Sequence, residues 1–412
     1  MVYIYALIPI IVNIYILYDS RRRYSLSLAF FLAMLITYTI PNIIHPYYEL
    51  YSEEVYIYSS IISSLFLIGY VFFVGVLSKS VGDNFHRSYF DDDGLVSRDF
   101  FSNNAMILSV VFFVFSLFLL MSIYGFSFSK MIYSSWGDFR NNVSLNKMLA
   151  MYLLYPASGI LLICIVKRNY KILSIVLLGC LFFVFVLKTR SFLIALLAPW
   201  LIYEIAFKKW GLKKIVTYAL LLVTVLGAYS LSRNVRHLGT LENITDIEFK
   251  LDTQEFELID NVYYLIDNQR EFMDANFNDL TRFILLPIPT SLLDFDKPTE
   301  VAKLVWNSRV GVLGVNGSVH PTFIGNVVVE SYYFGWLVYA LFIALFFFFT
   351  DVLMSKITSA RLILFSISCG VSFFLARGAF YNGMSLMIFG FVIVIGAELL
   401  FKVRLIKQVR FK

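Results

Sequence analysis

The sequence contains few charged residues. Only 15% of its 412 residues are Asp, Glu, Lys or Arg, and 59% are hydrophobic, whereas soluble domains carry about 25% charged and 45–50% apolar residues. This balance excludes a soluble globular protein, a disordered chain and a nucleic-acid-binding protein. The three cysteines lie in apolar segments without a CxxC pair, so they predict no disulfide framework.

Several catalytic signatures are also absent. The sequence has no Walker A motif, no HExxH, no GxSxG and no Cys/His zinc spacing, so we expect no ATPase activity, no bound metal and no cofactor. The run Asp91-Asp92-Asp93 could suggest a metal–nucleotide-sugar site. Its loop of about two dozen residues is far too short for a nucleotide-binding domain, and a solvated loop is the expectation.

Long apolar runs predict an all-α polytopic membrane protein with about 11 transmembrane helices, since each span needs about 20 apolar residues. The first run lacks the basic region and cleavage site of a signal peptide, so we expect a retained span. The pairs 172–187/191–207 and 362–376/384–400 are short enough to merge or bend. The expected spans are residues 3–18, 24–44, 55–77, 103–124, 148–166, 172–187, 191–207, 215–231, 333–351, 362–376 and 384–400.

The basic residues orient these spans. With Arg21 to Arg23 inside, 20 of the 34 Lys and Arg residues fall on the inner face and six in short outer loops, as the positive-inside rule requires. The other eight lie in residues 232–332, and long translocated segments are exempt from that rule. We therefore expect a first bundle of about eight spans (1–231), a large outer loop (232–332), and closing spans with an inner tail (333–412).

The outer loop has structure of its own. Apolar residues recur at helical spacing between Leu251 and Met273, with acidic residues between them, which predicts an amphipathic helix on the membrane or on the bundle. Residues 282–293 are apolar but too short to span, and Pro287 and Pro289 break them, which predicts a re-entrant or interfacial segment. The span interiors are nearly free of ionisable groups, which argues against an ion-coupled transporter.

Six arginines on the predicted outer side could bind phosphate. Their forked guanidinium groups bind phosphate oxygens at any working pH and would suit a lipid-linked pyrophosphate. The alternative is that they snorkel at span ends or pair with the 15 acidic residues of the outer loop. That alternative is weakest for the arginine that shares a short outer turn with Lys188. The six are Arg190, Arg233, Arg236, Arg282, Arg309 and Arg377.

His320 is the strongest single catalytic candidate. It follows a glycine-rich stretch and precedes Glu330 by ten residues, and an imidazole pKa near 6.5 suits a general base at neutral pH. The alternative is a histidine that caps the start of a helix.

The run from His320 through Glu330 to Gly335, followed by an apolar span, resembles the histidine–glutamate–glycine signature of bacterial O-antigen polymerases (Wzy) and O-antigen ligases (WaaL). The turn Lys188-Thr-Arg190 resembles the short basic turn of the same families, and Arg233 and Arg236 also fit. The layout of many spans, one large late periplasmic loop and a few closing spans matches over most of the chain. The chain departs from the usual ligase form, because Pro321 stands where an asparagine commonly follows the histidine.

The resemblance implies a glycosyltransferase of the bacterial inner membrane, with a periplasmic N-terminus and a cytoplasmic C-terminus. It would polymerise undecaprenyl-pyrophosphate-linked repeat units for lipopolysaccharide or another polysaccharide. His320 and Arg190 would be catalytic, and Arg233, Arg236, Arg282, Arg309, Glu330 and Arg377 would bind substrate. The implied partners are the lipid-linked glycan donor and acceptor, membrane lipid, a chain-length regulator and a flippase. The alternatives are a ligase that uses lipid A-core as acceptor, and a flippase or transporter.

Overall fold

The fold is that of a computed structural model. It describes residues 2–23, 25–81, 103–133, 144–147, 149–150, 152–153, 161–162, 164, 171, 173–175, 177–179, 198–205, 217, 254–275, 277–288, 290–310, 319–330, 334–356 and 361–410.

Every regular element in these residues is a helix, as expected for an all-α protein. Short 3-10 turns lie at His45–Tyr48, Gln269–Ala275 and Thr290–Leu292, and a π-helical turn lies at Leu35–Thr39. The α-helices are α1 (Val2–Arg23), α2 (Ser27–Met34), α3 (Pro41–Ile44), α4 (Glu53–Val81), α5 (Asn103–Ile123), α6 (Phe128–Tyr133), α7 (Gln254–Asp267), α8 (Asn278–Ile284), α9 (Val301–Val310), α10 (Thr322–Glu330), α11 (Gly335–Lys356), α12 (Arg361–Ala376) and α13 (Phe380–Arg410).

Seven apolar helices coincide with predicted spans. Four of them are long and apolar enough to cross a membrane: Val2–Arg21, Ser27–Tyr48, Glu53–Ser80 and Gly335–Val352. Three are shorter: Val110–Ile123, Ile363–Ala376 and Phe380–Gly396. This confirms the transmembrane character of the chain. The other four expected spans, between residues 148 and 231, lie largely outside the described residues, so the total of eleven stays a prediction.

The closing spans 362–376 and 384–400 do not merge. They form α12 and α13, and the turn between them contains Gly378 with φ +90°, a conformation that glycine adopts without a steric penalty. A Cβ at Gly378 would lie 2.5 Å from the carbonyl oxygen of Thr322. The turn therefore depends on glycine for its backbone conformation and for its close approach to α10.

The π-helical turn Leu35–Thr39 ends two residues before Pro41. Proline has no N–H to donate within a helix, and here the N–H of Ile40 bonds to Leu35 five residues back, at 2.9 Å. The wider turn holds three fully buried polar residues, and each is bonded to a different span. Thr37 Oγ1 donates to the Ala376 carbonyl (3.3 Å), Tyr38 Oη to the Ser59 carbonyl (2.9 Å), and Asn13 Nδ2 to Thr39 Oγ1 (3.0 Å).

The predicted amphipathic helix is present as α7 and packs on the bundle. Its apolar side is buried against α10, the π-helical turn and α4. Tyr263, which is fully buried, donates a hydrogen bond from its hydroxyl to Asn42 Oδ1 at 3.0 Å. The buried apolar residues of α7 are Leu258, Ile259, Val262 and Leu265.

The proline-broken segment 282–293 contains the end of α8 and the 3-10 turn Thr290–Leu292. Ile284 is 63% exposed and Leu292 is 74% exposed. Exposed apolar side chains would face lipid in both arrangements expected for this segment, re-entrant and interfacial, so the choice between them stays a prediction.

The described bundle has two distinct ends. We call the end near Arg21, at the end of α1, the basic end. There the Ser25 hydroxyl donates to Asp351 Oδ2 at 2.6 Å. At the loop end, the Tyr51 hydroxyl donates to the Asp260 carbonyl at 3.3 Å, and the Thr322 N–H donates to the Arg377 carbonyl at 3.0 Å. The described part of segment 254–330 packs at the loop end.

Candidate functional site

Helix α10 is the centre of the candidate site. All nine of its residues are buried, and it contacts α7, α4, α11 and α12. Its first residue, Thr322, has φ +60°, which is unfavourable for a β-branched side chain and often marks a functional site. The residues just before α10 are therefore held in a defined position by the surrounding helices.

His320 lies two residues before α10 and is half-buried. Its carbonyl oxygen accepts a hydrogen bond from Asn261 Nδ2 at 3.5 Å. The neighbouring Val319 donates its N–H to the Ala302 carbonyl at 2.9 Å. Helices α7 and α9 thus fix the backbone on which the imidazole is carried.

Arg377 is brought to the same place. Its carbonyl oxygen accepts the Thr322 N–H at 3.0 Å, and Gly378 lies directly against the Thr322 backbone. The backbone of Arg377 therefore contacts a residue only two positions from His320, although the arginine and the histidine are far apart in the chain.

Arg309 is connected to His320 through Asn261. One guanidinium nitrogen lies 2.7 Å from Asp260 Oδ2, and another donates a short hydrogen bond to Asn261 Oδ1. The guanidinium also lies 5.0 Å from the centre of the Tyr264 ring, within cation–π range. Arg309 therefore forms the acidic pairing that was the alternative to phosphate binding, and it also supports the residue that holds the His320 backbone.

Arg282 lies near the same α12–α13 turn. Its Nη1 donates to the Pro298 carbonyl at 2.8 Å, its Nε is 3.6 Å from Glu300 Oε1, and its guanidinium is 4.9 Å from the Tyr381 ring centre. Tyr381 belongs to the first turn of α13, just after Arg377. Arg282 too has an acidic partner within the described residues.

Glu330 lies at the opposite end of α10 from His320. Glu330 is eight helical steps beyond Thr322, about 12 Å at 1.5 Å per residue. The side chain is fully buried, and Oε1 accepts a hydrogen bond from the Tyr339 hydroxyl at 3.2 Å. Burial raises the pKa of the Glu330 carboxyl well above its usual range, and the Asp279 carboxyl raises it further.

Asp279 is a buried acid that the sequence reasoning missed. It is 2% exposed, and it accepts hydrogen bonds from the Val301 N–H at 3.0 Å and from Asn326 Nδ2 at 2.9 Å. It thereby joins α8, α9 and α10. Burial raises its pKa from 3.8 to about 7. The sequence offers one indirect signal: Asn326 and Glu330 are polar residues four apart in an otherwise apolar part of α10 and would need polar partners if that helix were buried.

Three of the arginines selected from the sequence, Arg190, Arg233 and Arg236, lie outside the described residues. Among the residues that are described, no group of three or more His, Cys, Asp or Glu side chains could hold a metal ion. The loop end carries two half-buried imidazoles, His320 before α10 and His45, whose ring centre lies 5.5 Å from that of Tyr263.

Comparison of the chain with protein-family models, with curated proteins and with solved structures finds no match.

Proposed function

We propose that the chain is a glycosyltransferase that polymerises undecaprenyl-pyrophosphate-linked oligosaccharide repeat units at the periplasmic face of the bacterial inner membrane. The observation that supports this proposal is the Thr322–Arg377 backbone hydrogen bond, which brings the Arg377 backbone to a residue only two positions from His320. A general base and a phosphate-binding cation at one place are what this reaction needs, and the spans around them could hold a polyprenyl tail.

In the proposed reaction His320 accepts the proton of the acceptor sugar hydroxyl. The hydroxyl oxygen then forms a bond to the anomeric carbon of the donor, and the bond from that carbon to the lipid pyrophosphate breaks. The departing pyrophosphate carries the negative charge, which guanidinium groups stabilise without a metal. A positioned base contributes about 10²–10⁴-fold.

The arginines take different parts in this proposal. Arg190, Arg233, Arg236 and Arg377 bind the pyrophosphate. Arg282 and Arg309 add positive charge to the same face, but their acidic partners Glu300 and Asp260 already engage part of each guanidinium group.

We assign Glu330 an orienting part, because its carboxyl is enclosed and bonded to Tyr339. It would fix the far end of α10 and thereby the backbone of His320.

The orientation is part of the proposal. A reporter that works only in the periplasm should be active when it is fused after Lys250. The C-terminus should be cytoplasmic. A reporter at Lys250 that is active only in the cytoplasm would place His320 on the wrong side for lipid-linked donors and would remove the proposed function.

The decisive experiment uses purified protein and lipid-linked repeat units. We expect wild-type protein to extend them, and His320→Ala to bind the donor but form no polymer, while the control His237→Ala has a milder defect. Extension by His320→Ala at the wild-type rate would remove the general-base assignment.

The glycan profile of a deletion strain separates the proposal from its alternatives. A core capped with single repeats indicates a polymerase, and an uncapped core with long lipid-linked chains indicates a ligase. Accumulation in the cytoplasmic leaflet indicates a flippase.

A further inference from the structure

A cavity of about 120 Å³ lies at the basic end of the bundle, away from His320. It is enclosed by α1, α2, α4 and α11, and it could contain about four water molecules at ~30 Å³ each. Its polar wall consists of acidic and hydroxyl side chains, Asp19, Ser20, Ser25, Ser27, Ser78 and Asp351.

Asp351 is the main charged group of this cavity. It is 5% exposed, and it accepts the Leu26 N–H at 3.0 Å and the Ser25 hydroxyl at 2.6 Å. These two bonds use half of the roughly four lone-pair positions of a carboxylate. No cationic side chain of the described residues pairs with it. A buried carboxylate without a cation is unfavourable, so this wall would be stabilised by a positive ligand.

The serines of the wall form a chain of hydrogen bonds that ends at Asp351. Ser20 and Ser27 are bonded through their hydroxyls at 2.9 Å, Ser27 donates to Ser25 at 2.9 Å, and Ser25 donates to Asp351. Ser25 Oγ also accepts the Ser27 N–H at 3.3 Å, which uses both of its lone pairs. In the bonds of the described residues, the serine oxygens of this chain that keep a lone pair are those of Ser20 and Ser27. The polar wall is therefore rich in hydrogen-bond acceptors.

The rest of the cavity is lined by aromatic and aliphatic side chains. Tyr15, Tyr70, Phe347 and Phe348 contribute rings to it, and an aromatic face attracts a cation by about 0.5–2 kcal/mol. Acceptor oxygens on one side and rings on the other favour an organic cation over an anion.

The cavity borders the apolar outer surface of the bundle. Tyr15 lines it and is 53% exposed, and Phe72 and Val76 on α4 are 64% and 52% exposed. In a membrane-spanning bundle such exposed apolar residues face lipid. A ligand could therefore enter from the bilayer with its acyl chains lying on α1 and α4.

We propose that this cavity binds a primary ammonium group, the chemistry that an ethanolamine phospholipid head group presents. Three N–H donors match the Asp351 carboxylate and two serine oxygens, and the rings cover the remaining side of the cation. A metal ion fits less well, because the described residues contain no group of three or more His, Cys, Asp or Glu side chains. The site is separate from the proposed glycosyltransferase function and does not depend on it.

Thermal unfolding of the full-length protein tests the site. In one arm the protein is reconstituted in phosphatidylglycerol vesicles that contain phosphatidylethanolamine or, as the control, phosphatidylcholine, whose quaternary ammonium has no N–H. In the other arm detergent-solubilised protein receives ethanolamine or choline at equal ionic strength. We expect Tm to be several degrees higher with the primary amine of at least one arm. The arm that responds identifies a lipid or a soluble amine as the source.

Asp351→Asn removes the charge but keeps an oxygen that can accept the Leu26 N–H, so the variant should fold and lose the Tm rise. Glu54→Gln, an exposed acid at the loop end, is the matched control and should keep it. Equal Tm values with primary and quaternary amines in both arms would overturn the proposal, and so would an undiminished rise in Asp351→Asn. If Asp351→Asn does not fold, the wild-type comparison of primary with quaternary amine still decides the question.

Discussion

The backbone N–H of Thr322 donates to the carbonyl oxygen of Arg377 at 3.0 Å and joins the start of α10 to the turn between α12 and α13. The sequence selects His320 and Arg377 for different chemical reasons, and this bond brings the Arg377 backbone to within two residues of His320 along the chain. The geometry of the candidate site therefore depends on the shape of the α12–α13 turn.

Gly378→Ala should destabilise that turn. An alanine at φ +90° is strained by about 1–3 kcal/mol, and its Cβ would lie 2.5 Å from the Thr322 carbonyl oxygen. We expect a lower Tm and loss of polymer formation. Gly396→Ala is the control, because a Cβ there meets nothing within 4 Å and alanine favours helix. Equal Tm values for the two variants would show that the close approach at Gly378 is unimportant.

Arg190→Ala should abolish polymer while the protein level is unchanged, because the proposed pyrophosphate ligand is lost. Arg190→Lys should recover little activity, since an ammonium cannot form the forked pair of bonds to two phosphate oxygens. The measurement is polymer length on gels beside an immunoblot of the membrane fraction. Full activity of the alanine variant would make Arg190 a membrane anchor.

Arg309→Lys should impair chain extension almost as much as Arg309→Ala. The guanidinium bonds to Asp260 and Asn261 together, and a single ammonium does not reproduce both bonds in the same fork. The control is Arg270→Ala, since Arg270 is exposed. An extension rate of Arg309→Lys equal to that of wild type would separate Arg309 from the His320 backbone.

Asp279 should make stability depend on pH. Its pKa is about 7 in the folded protein and 3.8 ordinarily, so folding favours the protonated form. The contribution is fully present below about pH 4, falls as the pH rises to about 7, and is constant above that. Its magnitude is on the order of a few kcal/mol. Wild-type Tm should therefore fall between pH 5 and pH 8.

Asp279→Asn removes this titration and should give a flatter dependence of Tm on pH. The amide can still accept the Val301 N–H and can donate to Asn326 Oδ1, which accepts no hydrogen bond from the residues that the structure describes. Parallel pH profiles of variant and wild type would show that Asp279 is not the titrating group.

Glu330→Gln should leave Tm and activity close to wild type, because the amide oxygen still accepts the Tyr339 hydroxyl. Glu330→Ala should lower Tm, since it leaves that buried hydroxyl unpaired, at about 1–3 kcal/mol, and opens a void. Activity that is lost in a stably folded Glu330→Gln would instead give Glu330 the substrate-binding part that the resemblance implied.

The sequence predicted those elements whose signal is local. Apolar runs located the described spans, and helical spacing around Leu258 and Val262 located α7. Helix α10 shows the limit of local sequence signals. Its nine residues follow a glycine-rich stretch and Pro321, and their mixture of apolar and polar side chains does not indicate complete burial. Helix α10 is buried because helices that are distant in the sequence pack around it. A local sequence pattern carries no information about those contacts.

The residues of the candidate site likewise differ in whether a local signal or a long-range contact identifies them. The sequence selects His320 because an imidazole suits a hydroxyl proton, and Arg377 because a guanidinium suits phosphate, and both assignments stay predictions. Asp279 was missed because nothing near it distinguishes it from a solvated acid of the loop, and its partners Val301 and Asn326 lie far along the chain. The sequence selects Arg309 for phosphate binding, which stays a prediction, while its bond to Asn261 is visible only in the folded arrangement.

The complete enclosure of α10 also bears on the order of assembly during synthesis. Its nine buried residues contact α4, which is made early, and α12, which is made after it. The Thr322 N–H has no Arg377 carbonyl to bond until α12 has left the ribosome. We therefore expect α10 to dock last, as a slow non-local step. A chain truncated after α11 should accordingly expose α10 to proteases even though its earlier spans are inserted.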